Sequence, residues 1–105
     1  MSTPDPLLNE ITTLLEAPVG RDDPERLERT LTDGYARALN LETEKWRLQR
    51  QMSQMSAAAD RDVGAELVAL ARRVEAQDGR LGELRALLVR LRARHSVASR
   101  AAATR

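Results

Sequence analysis

The chain is expected to be all-α: an antiparallel helical hairpin of coiled-coil type, preceded by a short amphipathic helix. Three observations point there. Leu, Ala, Arg and Glu dominate a 105-residue chain with no Phe and two aromatics, Tyr35 and Trp46, a composition of long helices rather than of a sandwich or α/β core. Apolar residues recur alternately four and three apart over most of the length, which is heptad spacing. No Pro follows Pro24, so none interrupts the pattern.

Asp5-Pro6 opens the first helix, with Asp5 as N-cap and Pro6 at the first helical position. Leu7, Leu8, Ile11, Leu14 and Leu15 then share one face. This helix should end near Ala17, because Pro18 and Gly20 break it and Arg21-Asp22-Asp23 reads as linker. Residues 1–21 are thus a short helix and its linker. Asp22 with Glu25 three residues later is a capping-box spacing, and Pro24 falls in the first turn of the next helix.

Two seams follow. The first runs Leu27, Leu31, Gly34, Ala38, Leu41, Lys45, Leu48, Met52, Met55, Ala59; the second runs Val63, Leu67, Leu70, Val74, Gln77, Leu81, Leu84, Leu88, Leu91, His95. Ala59 to Val63 is a four-step where a three-step is due. A turn around Ala59-Asp60-Arg61-Asp62 explains the slip and folds the seams together, with arms of about 24–58 and 62–95. The alternative is one continuous helix of roughly 70 residues, about 105 Å long, in an oligomeric coiled coil. Folding about Arg61 sets Lys45 opposite Gln77 as a polar layer that fixes register, and sets the small Gly34 and Ala38 against the large Leu88 and Leu84. Asp78-Gly79 resembles a turn signal, but the seam passes through it in phase and leaves Gly79 on the outer face. Residues 96–105 complete the chain as a flexible basic tail.

The net charge of +1 conceals a polarity. Asp5, Glu10, Glu16, Asp22, Asp23, Glu25, Glu28 and Asp33 face only Arg21, Arg26 and Arg29 in residues 1–33, whereas no acid follows Glu83. Arg85, Arg90, Arg92, Arg94 and Arg100 are the candidate nucleic-acid contacts of that acid-free end. The hairpin also brings much of this charge beside the acidic start of the first arm, and both groups suit the dipoles of their own helix ends.

No enzyme is expected. His95 is the single His and sits at a seam position, Asp60 and Asp62 lack the further ligands of a calcium loop, and neither a glycine-rich phosphate loop nor a Gly-x-Ser-x-Gly motif occurs. No cofactor, metal or small-molecule substrate is expected. With no Cys and no long apolar run, the chain reads as soluble and cytoplasmic, without a membrane role.

Tyr35, Leu39 and Trp46 lie on the flank of the first arm, off its seam. Either the first helix folds back and covers them with Leu7, Ile11, Leu14 and Leu15, or these residues form a partner interface. A homodimer of hairpins satisfies both. Length near 100, absence of Cys and a central Trp resemble the small secreted hairpin proteins with a Trp-x-Gly turn. The corresponding residues are Trp46-Arg47-Leu48, with Leu48 in place of glycine, so the resemblance is one of shape. The leading expectation is a cytoplasmic adaptor or scaffold that self-associates, as a dimer, or docks on a partner helix. A nucleic-acid accessory factor ranks second and a secreted hairpin third.

Overall fold

A computed structural model of the chain describes residues 5–18, 20–58 and 64–104. They form three helices, α1 Pro6–Glu16, α2 Pro24–Ala58 and α3 Gly64–Ala103, and no strand occurs among the described residues. α2 and α3 pack extensively against each other as the expected helical hairpin. The expected turn around Ala59-Asp60-Arg61-Asp62 lies outside the described residues.

Burial follows the two seams. Every described seam position is buried or half-buried, including Lys45, Gln77 and His95, while most positions between them are exposed. The helix runs unbroken through Asp78-Gly79, with Gly79 exposed. The chain divides into two compact units, Met1–Arg37 with Leu84–Arg105, and Ala38–Glu83.

The first unit contains α1. Asp5 caps it, accepting a hydrogen bond from the Leu7 amide at 3.0 Å with Pro6 behind the cap, as the sequence indicates. Its 11 residues are too few to hold a helix in water alone, so its stability comes from docking. Ile11 and Leu14 are buried; two such side chains contribute on the order of 3–6 kcal/mol before ordering costs. Ion pairs show where α1 sits. Asp5 Oδ2 is 3.4 Å from Arg37 Nη2, and Glu10 Oε1 is 3.8 Å from Arg26 Nε. Thr30, the one buried polar residue among the described residues, places Oγ1 2.9 Å from the Arg26 carbonyl oxygen and 3.2 Å from Glu10 Oε1. α1 therefore runs antiparallel to α2 along the flank of Arg26, Thr30 and Arg37. In the same unit Gly34 is buried against Leu88: a Cβ placed there would lie 2.3 Å from Leu88 Cδ2. This is the small-against-large layer expected from register.

Two boundaries depart from expectation. The α2 cap is Asp23 rather than Asp22: Asp23 Oδ1 accepts from the Glu25 amide at 3.1 Å, leaving Pro24 at the first helical position, which Pro favours. Residues 96–103, expected in the tail, continue α3 as helix. Ala98 and Ala102 carry the seam spacing on from His95, Ala is the strongest helix former, and Gly20 and Asp22 of the linker, with Pro24 at the start of α2, share a groove with Val97, Ala98 and Ala101.

In the second unit Leu41, Leu48, Leu70 and Leu81 are buried, flanked by half-buried Met52, Met55, Leu67 and Val74. Lys45 and Gln77 stand at one level, but each reaches past the other. Lys45 Nζ donates to Asp78 Oδ1 at 2.7 Å and Gln77 Nε2 donates to Glu44 Oε2. Gln77 Oε1 remains buried without a partner.

Candidate functional site

Four groups of residues are candidates from sequence, and the structure treats them differently. The apolar face of α1 is spent inside the first unit: Ile11 and Leu14 are buried and Leu7 and Leu15 half-buried. These four, offered by the sequence either for docking within the chain or for a partner interface, are the side chains by which α1 packs within the first unit.

Within the first unit their target is not Tyr35. Tyr35 in the first unit is 47% exposed, and in the second unit Leu39 is 62% and Trp46 74% exposed. Heptad geometry gives the reason. Arg26, Thr30 and Arg37, which meet α1, lie on one side of the first seam, whereas Tyr35 lies on the other. Thr32, Leu39 and Trp46 are spaced seven apart on α2, so they follow a single stripe. Around Trp46 an open groove of about 530 Å³ is lined by Thr43, Arg47, Gln49 and Arg50. Trp46-Arg47-Leu48 is the middle of α2 and Leu48 is buried, so the turn of the secreted hairpin proteins does not occur there.

The basic group loses its most central member. Arg94 is only 11% exposed and points inward. Its Nε donates to Asp22 Oδ1 at 2.8 Å, Nη1 to the Leu15 carbonyl at 2.9 Å, and Nη2 to the Ala17 and Pro18 carbonyls at 2.5 and 3.1 Å. These carbonyls include the end of α1, where a helix leaves acceptors without partners. Arg94, one of the candidate nucleic-acid contacts, here caps a helix end. Asp22, 10% exposed, is the other half of this pair, which is why the α2 cap falls to Asp23. Arg85 is engaged within the chain as well, and Arg100 Nε lies 3.4 Å from the Ser96 carbonyl. Arg90 and Arg92 are exposed.

Lys45 and Gln77, the expected register layer, do not bond to each other; Lys45 Nζ and Gln77 Nε2 turn to flanking acids instead, and Gln77 Oε1 is left without a partner. His95 Nε2 stands 3.3 Å from Ser99 Oγ at a half-buried position. Among the described residues no group of three His, Cys, Asp or Glu is placed to hold a metal ion, and no helix is long and apolar enough to cross a membrane. Compared with protein-family models, curated proteins and solved structures, the chain matches none.

Proposed function

We propose that this protein is a non-enzymatic interaction protein that works through helix packing and self-associates by the stripe of α2 that carries Leu39 and Trp46. One observation carries the reading: the chain's single Trp, in the middle part of α2, is 74% exposed, and Leu39, seven residues away on the same stripe, is 62% exposed. An indole covers about 150–250 Å² when buried, and Trp is among the residues that dominate binding energy at interfaces. The seam supports the reading from the other direction. Its leucines are consumed between α2 and α3, so a partner has to use an outer face. An adaptor or scaffold role in the cytoplasm is part of this proposal and draws on the Cys-free composition.

Trp46→Ala tests it. Because the side chain is mostly solvated, stability should stay within about 0.5 kcal/mol, while self-association should weaken by about 30-fold or more, as expected for a hot-spot residue. Light-scattering mass across a concentration series reads the association, and emission from Trp46 in the parent chain reports whether its ring leaves water as the mass rises. A parent chain that stays monomeric with a hydrated Trp46 at every concentration refutes the proposal.

A further inference from the structure

In the first unit α1 covers one flank of the α2–α3 pair, the side of Thr30 and Arg94. The opposite flank carries Glu25, Glu28, Thr32 and Tyr35 from α2 and Val89 and Arg92 from α3, all exposed. In an antiparallel pair these heptad positions share a face. The face has apolar content in both rows, with Tyr35 47% and Val89 70% exposed. It is also divided lengthwise by charge. Along α2 the face carries Glu25 and Glu28, which with Thr32 line part of an open groove of about 580 Å³; along α3, Arg92 lies in a segment that contains no acid.

We infer that this face binds a second copy of the chain, with α2 of each copy laid antiparallel on α3 of the other. The inference rests on the self-association just proposed and adds the face and the orientation. Charge selects the arrangement. Two hairpins meeting face to face have two candidate two-fold axes. An axis across the helices sets α2 on α2 and α3 on α3, acid on acid and Arg on Arg, which like-charge repulsion disfavours. An axis along the helices sets the acidic row on the basic row twice over. The level follows from Gly34 facing Leu88 within each chain: Thr32 and Tyr35 come beside Val89 of the second copy, and Glu28 beside its Arg92. The product is a four-helix layer with α1 on each outer side.

The full chain lacks Cys, which allows a direct test. Thr32→Cys and Val89→Cys are made as separate proteins, then oxidised alone and as an equal mixture. The expected result is a disulfide-linked 32–89 dimer in the mixture and little crosslink in either protein alone. Charge reversal gives a second readout. Glu28→Arg and Arg92→Glu should each weaken the dimer by about tenfold or more at low ionic strength. Mixing the two variants should restore it, because each reversed charge then meets its complement. Strong 32–32 and 89–89 crosslinks, or a dimer indifferent to both reversals but lost in Trp46→Ala, overturn this orientation while leaving self-association standing. A parent chain monomeric at every concentration overturns both.

Discussion

Gly34 offers a test in which two opposed effects have known sizes. Replacing a helical Gly by Ala ordinarily stabilises a protein by about 1 kcal/mol through backbone entropy. At Gly34 the added Cβ would stand 2.3 Å from Leu88 Cδ2, 3.4 Å from its Cγ and 3.6 Å from its Cδ1. Ordinary carbon contacts begin near 3.5 Å, so Leu88 would have to withdraw by about 1.2 Å. Leu88 is only 2% exposed and has no solvent to move into, and overpacking of this kind costs about 1–3 kcal/mol. Gly34→Ala should therefore lower stability by about 0–2 kcal/mol overall. Leu88→Ala alone should cost about 2–5 kcal/mol. In that background the clash is gone, and Gly34→Ala should stabilise by about 1 kcal/mol. The cycle should thus show a coupling of about 1–3 kcal/mol. Urea unfolding of the four proteins, followed by far-ultraviolet circular dichroism, measures it. Gly79→Ala is the control: nothing lies within 4 Å of its Cβ position, and a gain of about 1 kcal/mol is expected. Equal stabilisation by Gly34→Ala in both backgrounds would refute the close approach and the register built on it.

Arg94→Ala should destabilise the first unit by about 3–5 kcal/mol, because it leaves Asp22 buried without its cation and removes donors from three carbonyls. Hydrogen exchange should show α1 opening first, and Arg94→Lys should recover only part of the loss, since an ammonium cannot reproduce the planar fork. Unchanged α1 protection in either variant would show that the cap is dispensable. Gln77→Leu should raise the stability of the second unit by about 1 kcal/mol by removing the unpartnered Oε1. A drop in the urea midpoint instead would mean that the bond from Nε2 to Glu44 matters more than the orphaned oxygen.

The hairpin was legible because its signal is periodic and local. Four-three spacing marks the inner face of a helix whatever its partner is, and the described seam residues are the ones withdrawn from water. Register was legible from a Gly set against a Leu, whereas the Lys and the Gln proposed as a layer each turn to a flanking acid. The side taken by α1 was not. Its apolar face announces that it docks, but the choice of flank depends on Thr30 and on pairs such as Asp5 with Arg37, which no period marks. Asp22 and Arg94 stand 72 residues apart. The charge polarity of the chain brought them to one end, and only the folded linker singles them out from their neighbours. The extension of α3 did have a signal, since Ala98 and Ala102 sit at seam positions; their small side chains made the segment read as tail. At the surface, the exposure of Tyr35, Leu39 and Trp46 follows from their lying off the seam, whereas the commitment of Arg94 had no sequence mark.

Arg94 also sets an order of events. The guanidinium that closes the end of α1 is made 79 residues after Leu15, whose carbonyl it caps. At about 5–20 residues per second, a nascent chain carries α1 for roughly 4–16 s before its cap exists. Through that interval the Leu15 carbonyl at the end of α1 has no Arg94 to close it. The contacts of α1 with Arg26, Thr30 and Arg37 are available early, whereas the closing of its end waits until the second arm of the hairpin has returned.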